Sequence, residues 1–277
     1  MAEEDSKSVK GHPLIELAND RAVNQVTGFA SVAASLNAVE LCCLYKAEKS
    51  AAPQRSSTGK KYFVDHLGVQ EKEHFGTAPK DSSEGRKEEH LAIALFNGYG
   101  HLSQGLAIDA NDPIRILDYQ LPLKAKSDDA SIGKVDLLAL TSGDQLAVVE
   151  LKYMPVGATV SRADTPLRAF LEGLAYCAIL EADLESLQRE AEEKFERPIA
   201  KKVPALVLLA NSDYWKLYRE PKVAGEWMGE MDRLALLVKD KLGIPVSYLS
   251  LKISDEPIRY EAQRPKFVWP PVIERAW

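Results

Sequence analysis

The stretch "KVDLLALTSGDQLAVVELKY", residues 134–153, decides how the rest of the chain is read. Two apolar runs flank Ser142-Gly143-Asp144, and Gly-Asp between such runs signals a hairpin. Side chains alternate along a strand, so Leu146, Val148, Glu150 and Lys152 share one face, while Ala147, Val149, Leu151 and Tyr153 share the other. Both faces are apolar up to Val149, the mark of a central strand. Glu150 and Lys152 then sit where an unpaired ion is costly, and something must compensate them.

Asp136 is the lone charge in the preceding run, "VDLLAL". A three-residue loop places Asp136 opposite Glu150 on one face; a two-residue loop without a bulge places it on the other face. Adjacent carboxylates repel, and the usual remedies are a shared proton or a hard divalent cation with oxygen ligands. Magnesium takes one or two protein carboxylates and keeps waters, one of which it can acidify; a neighbouring lysine orients that water or faces charge on a phosphoryl oxygen. Asp136, Glu150 and Lys152 can divide these tasks, provided that the two carboxylates reach a common cation. The acid-x-Lys spacing means little alone, since Asp5-Ser6-Lys7, Glu192-Glu193-Lys194 and Glu220-Pro221-Lys222 repeat it in a polar tail, a charged helix and a Pro turn. Only the triplet at 150 ends an apolar strand with an acid one hairpin upstream. A strand-end ion pair is the plain alternative.

Around this hairpin the pattern is α/β. "EEHLAIALFNGYG" from Glu88 reads as an apolar helix opened by two acids, and "IRILDYQLPL" (114–123) reads as a strand before the hairpin. Thr165-Pro166 caps the helix "PLRAFLEGLAYCAILEA", and "LESLQREAEEKFE" continues as a charged helix. "VPALVLLAN" (203–211) is a buried strand, a helix covers about 225–242, and "PVSYLSLKI" (245–253) is expected as the last strand. This order predicts a central mixed sheet flanked by helices. Upstream, residues 1–11 read as a disordered tail and the breaker-poor run 12–49 as one or two helices. The runs 50–60 and 76–87 read as exposed loops. The extension 1–87 and a domain over 88–277 are expected to form one unit, with the Pro-rich "FVWPPVIERAW" lying over its surface.

"GKVDLLALTSGDQLAVVELKY" resembles the core hairpin of the PD-(D/E)xK nuclease superfamily, with Asp136 at the motif's aspartate and Glu150-Leu151-Lys152 at its (D/E)xK. Val135 stands where the motif's name has proline, a replacement that the superfamily often shows. The element order from about 88 to 211 resembles the same family's restriction-endonuclease-like αβββαβ core. The resemblance implies Mg²⁺ or Mn²⁺ held by Asp136, Glu150 and the main-chain carbonyl of Leu151, with a further acid from the first helix. Glu88 and Glu89 are the candidates for that acid; helical phase favours Glu88, which shares a stripe with Leu91, Ala92 and Leu95. His90 is a third candidate, because the recombination-exonuclease branch uses a helix histidine. Glu172 and Tyr176 match the spacing of that branch's Gln-x-x-x-Tyr pair, with Glu in place of Gln. Read without the resemblance, Arg168, Glu172 and Tyr176 form one helical stripe: an ion pair beside a packed tyrosine.

Composition bounds the rest. The 277 residues are 45% hydrophobic, enough for a sizeable core. No run approaches the roughly 18–20 apolar residues of a membrane span, and "MAEEDSKSVK" is unlike a signal peptide, so a cytoplasmic protein with no membrane partner is expected. Cys42, Cys43 and Cys177 form no CxxC, so neither a disulfide framework nor a zinc site is expected. The net charge of −6 gives no global pull towards nucleic acid. Locally, however, Lys124, Lys126, Lys134, Arg162 and Arg168 gather around the hairpin, and Arg55, Lys60, Lys61, Arg86 and Lys87 precede the first core helix. Tyr214, Trp215 and Tyr218 either stack on bases or pack as core at helical spacing. The expected function is metal-dependent hydrolysis of nucleic acid, most simply DNA in restriction, repair or defence. The competing readings are a non-catalytic nucleic-acid-binding or scaffold protein and an effector that needs a partner protein; a homodimer is also open.

Overall fold

The computed structural model describes residues 11–63, 87–100, 105–107, 113–127, 129, 131–158, 164–220, 226–254, 256–261 and 264–277. The helices are α1 (Pro13–Ala18), α2 (Phe29–Ser35), α3 (Ala38–Ala51), α4 (Lys87–Tyr99), α5 (Pro166–Ala182), α6 (Leu184–Phe195), α7 (Ser212–Arg219) and α8 (Trp227–Leu242). The strands are β1 (Leu106–Ala107), β2 (Pro113–Pro122), β3 (Lys134–Leu140), β4 (Leu146–Lys152), β5 (Ala205–Asn211), β6 (Val246–Lys252), β7 (Ile258–Glu261), β8 (Arg264–Phe267) and β9 (Val272–Arg275). The expected segments 76–86, Arg86, Arg162 and most of the amino-terminal tail lie outside the described residues.

Every residue of β4 is buried, which is why it takes the middle of a mixed α/β sheet. Six strands run in the order β2-β3-β4-β5-β6-β9, and the two-residue β1 extends the β2 edge. β3 runs antiparallel to both of its neighbours, β2 and β4; β4, β5 and β6 are parallel, and β9 closes the far edge antiparallel to β6. Parallel neighbours need crossovers. α5 and α6 carry the chain from β4 to β5, and α7 and α8 carry it from β5 to β6.

Alternation on the strands builds two cores. Leu138, Leu140, Leu146, Val148, Leu206 and Leu208 pack with α5 and, behind it, α1, α2, α3 and α8. Leu137, Ala139, Ala147, Val149 and Leu151 pack against α4, which the β7–β8 hairpin covers. The amino-terminal helices thus share one hydrophobic core with the sheet. No helix among the described residues is long and apolar enough to cross a membrane.

Two regions differ from the sequence expectation. Residues 12–49 hold three short helices, because polar side chains capture main-chain groups between them: Asp20 Oδ1 accepts from the Ala22 N–H (2.7 Å), and Asn37 Oδ1 accepts from the Glu40 N–H (3.0 Å). The strand at 246–252 is followed by three more, and the tail is not merely draped: β9 pairs Ser250 with Glu274, and Trp277 stacks on Tyr248 at 4.6 Å between centroids. Pro270-Pro271 masked this short strand in the sequence.

Candidate active site

The hairpin register answers the geometric demand raised by the sequence. β3 and β4 pair Leu140 with Leu146 and Leu137 with Val149, a register that, carried one pair further, would set Asp136 opposite Glu150. The Thr141 N–H donates to the Gln145 carbonyl (2.9 Å), so the loop is Ser142-Gly143-Asp144. Asp144 takes the left-handed conformation (φ 54°) that a three-residue loop requires at its last position.

Beyond Leu137 the two strands part. Leu151 lies opposite Val135 in this register, yet its N–H goes to Asp136 Oδ2 at 2.9 Å. Val135 has turned into the core beneath α5, although Leu137 and Ala139 face α4. Side chains then take over the end of β4: the Tyr153 N–H donates to Glu88 Oε1 (2.9 Å), and Asn211 clamps Met154 through its N–H (2.8 Å) and carbonyl (2.7 Å). Because the N–H and C=O of one strand residue point to the same side, the Leu151 carbonyl lies on the side of β4 that its N–H turns to Asp136.

Glu150 and Lys152 are 3% and 6% exposed, and Lys152 Nζ lies 2.7 Å from Glu150 Oε1. Asp164 Oδ2 is 3.5 Å from the same Nζ. Arg168 pairs with Asp164 and lies 4.0 Å from Glu172 Oε2, while the Tyr176 hydroxyl donates to Glu172 Oε1 at 2.8 Å. Gly133 is glycine for a packing reason: a Cβ there would collide with the Tyr176 hydroxyl. Five carboxylates, Glu88, Asp136, Glu150, Asp164 and Glu172, therefore surround two cations, Lys152 and Arg168.

Burial raises the Asp136 carboxyl to about 6, against the pull of Lys152 and the Leu151 N–H, and Glu88 and Glu172 add repulsion. Burial also lifts Glu150 well above the usual carboxylate range, with Lys152 opposing and Asp136 adding to the rise. Glu88 is raised by burial too. Desolvation works against the Lys152 charge, but Glu150, Asp136, Glu88 and Glu172 outweigh it and hold its pKa well above normal. Lys152 is accordingly an ammonium at neutral pH, suited to facing negative charge and unsuited to accepting a proton. Burial, followed by the Glu150 and Glu172 charges, keeps the Tyr176 hydroxyl protonated.

The site therefore gathers Glu88, Asp136, Glu150, Lys152, Glu172 and Tyr176. Glu89 sits on the next position of α4, and it is Glu88 that bonds the end of β4. His90 is buried against the β7–β8 hairpin, its Nδ1 2.8 Å from the Tyr260 hydroxyl, and does not join the cluster. Tyr214, Trp215 and Tyr218 are core residues. Arg55 is structural, donating to the carbonyls of Lys61 (2.7 Å) and Lys124 (2.5 Å). Lys60, Lys61, Lys87, Lys124, Lys126 and Lys134 are exposed.

Comparison with family models, curated proteins and solved structures gives no match.

Three participants escaped the sequence reading. Gln120 donates from Nε2 to Asp136 Oδ1 (3.1 Å) from a strained left-handed backbone (φ 49°), on a strand whose ladder shifts between Ile116 and Asp118. Asp164 precedes the Thr165 cap on an irregular segment, and Asn211 ends β5. Only Asp164 had a signal, an acid just before a helix cap. Asn211→Leu removes both partners of the Met154 main chain and is expected to cost about 2–6 kcal/mol, from about 1–3 kcal/mol for each of the two buried groups left unpaired. Urea unfolding measures it, and a loss below about 1 kcal/mol would show that water replaces the clamp.

Can these residues hold a divalent cation? Glu150 Oε2 is buried without a hydrogen-bond partner, an orphan acceptor beside a second carboxylate. The donor set is all oxygen, as Mg²⁺ and Mn²⁺ prefer. As the side chains lie, Asp136 is turned to Leu151 and Glu150 to Lys152, and among the described residues no three acids, histidines or cysteines converge as a ready cage. The donor chemistry suits such a cation, and holding one would require Asp136 and Glu150 to turn from Leu151 and Lys152 towards a common point.

Proposed function

We propose that this chain is a divalent-metal-dependent phosphodiesterase acting on nucleic acid, DNA being the substrate, built on a restriction-endonuclease-like core. The observation that carries this reading is the meeting of Asp136, Glu150 and Lys152 at the parted end of β3 and β4, with Glu150 Oε2 orphaned. Asp136 Oδ1, Glu150 Oε2 and the Leu151 carbonyl are the groups to hold the cation. When bound, Mg²⁺ or Mn²⁺ supplies Lewis acidity to a phosphoryl oxygen and lowers the pKa of a coordinated water.

The chain's own residues supply the remainder. Lys152 stays protonated and faces the charge that grows on the phosphoryl oxygens as water attacks phosphorus and the P–O bond to the leaving sugar breaks. Glu88 ties the end of β4 to α4, and so fixes Lys152 relative to Glu150. Tyr176 and Glu172 form the α5 wall.

Plasmid and linear DNA, single- and double-stranded, with RNA in parallel, incubated with Mg²⁺ or Mn²⁺, provide the test. Wild type cleaves, and Asp136→Ala and Lys152→Ala each fall by roughly 10²–10³-fold, as for removal of a transition-state electrostatic group. Equal cleavage by all three proteins would reveal a contaminant. No cleavage by any would favour a non-catalytic scaffold, for which the unassembled cage and the net charge of −6 are the present support.

A further inference from the structure

Asp164 is anchored beside the candidate site through both its main chain and its side chain. Its carbonyl accepts from the Tyr214 (2.8 Å) and Tyr218 (3.3 Å) hydroxyls. Its carboxylate pairs with Arg168 and accepts from Asn24 Nδ2 at 3.5 Å. The next residue is fixed as well: the Thr165 N–H donates to Asn24 Oδ1 (3.0 Å), and the Thr165 hydroxyl donates to the Val23 carbonyl (2.7 Å). Arg168 itself donates to Asn19 Oδ1 at 3.0 Å. Residues of the amino-terminal extension thus hold Asp164 still beside Lys152.

Lys152 has two acids to choose from. It sits at 2.7 Å on Glu150 and 3.5 Å from Asp164, in a space that leaves it 6% exposed. A divalent cation on Glu150 repels an ammonium on the same carboxylate, and a buried ammonium must keep a counter-ion. Asp164, already neutralised in part by Arg168 and fixed in place, is the one acid within ion-pair distance of Nζ besides Glu150 among the described residues.

We infer that Asp164 is a positioning residue that receives the Lys152 ammonium when Glu150 takes up a divalent cation, so that Lys152 stays charged in the site instead of competing with the metal. This role presupposes that Glu150 and Asp136 hold a cation, as proposed above. It gives residues 19–24 a part in metal loading although none of them reaches the cation.

The experiment is Mn²⁺ titration of the full chain by calorimetry at pH 7.5. Asp164→Asn, which keeps an acceptor for Asn24 and loses the charge, binds Mn²⁺ about tenfold more weakly than wild type, and Asp164→Glu restores most of the affinity. In a Lys152→Gln background, Asp164→Asn changes Mn²⁺ affinity by less than about twofold, because no ammonium remains to be moved. Equal weakening in both backgrounds reduces Asp164 to one more negative charge and overturns the inference, as does unchanged affinity in Asp164→Asn. If Lys152→Gln does not fold, the structure of the Mn²⁺-loaded wild type decides: Lys152 Nζ on Asp164 supports the transfer, and Nζ still on Glu150 overturns it. Failure of the wild type to take up millimolar Mn²⁺ overturns the metal site itself and the transfer with it. Mn²⁺ binding without DNA cleavage leaves the transfer standing and removes only the nuclease reading.

Discussion

Lys152→Met is expected to lower the unfolding free energy by about 3–5 kcal/mol at pH 8 without divalent cations, the usual effect of removing one partner from a buried pair. The cause is specific. Glu150 keeps one oxygen already without a partner and loses the other's, while Asp136, Glu88 and Glu172 lose a cation that offsets them. The loss shrinks in acid, because Glu150, held well above the usual carboxylate range, protonates there and no longer needs a counter-ion. Millimolar Mg²⁺ or Mn²⁺ recovers part of it by binding the native state alone. Urea unfolding at pH 8 and pH 5, with and without metal, measures both dependences. A pH-independent loss would mean that Lys152 contributes packing and not charge.

Asp136→Asn carries the second large effect, and its sign is opposite in neutral solution. The Asp136 carboxyl is raised by burial from 3.8 to about 6, so its contribution to stability is full below about pH 4 and is lost as pH rises through 6. Two pKa units correspond to about 3 kcal/mol. The stability of Asp136→Asn relative to wild type therefore climbs by about 3 kcal/mol between pH 4 and pH 7 in EDTA. A constant offset accompanies it, because an amide has only one oxygen to accept from both Gln120 and Leu151. If the proposed metal site is correct, saturating Mn²⁺ is expected to reverse the order, because wild type would bind the cation through this carboxylate. Parallel pH profiles for the two proteins would show that the Asp136 carboxylate is adequately solvated, and would remove the reason for a metal there.

What made the hairpin legible was alternation: two apolar faces on residues 146–149 required a central strand, and the charges at Glu150 and Lys152 then stood out. The sequence could not choose between a two- and a three-residue loop, because that choice rests on the left-handed backbone at Asp144, which aspartate tolerates but does not dictate. Helical phase picked out Glu88 over Glu89, since phase is a local property. Gln120 was invisible, and Asp164 carried only the weak signal of an acid before a helix cap, for the converse reason. Each touches the site through a contact made across the fold, from a distorted strand and an irregular segment that have no periodicity to read. The short β9 was hidden in the same way, since a four-residue edge strand after two prolines is defined by its partner β6.

The anchoring of Thr165 by Asn24 and Val23, across 141 and 142 positions of chain, has a consequence for the order in which the molecule assembles. Contacts between such distant residues close large loops and form late in folding. The β3–β4 hairpin, joined by three residues, can form early and by itself brings Leu137, next to Asp136, onto Val149, next to Glu150. The opposite wall, with Asp164 and Arg168, becomes fixed only when the segment carrying Asn19, Val23 and Asn24 docks. The acidic end of the hairpin is thus expected to form before the surroundings that govern its charge, and recovery of the proposed cation binding in a refolding experiment would report the docking of the amino-terminal helices more directly than formation of the sheet.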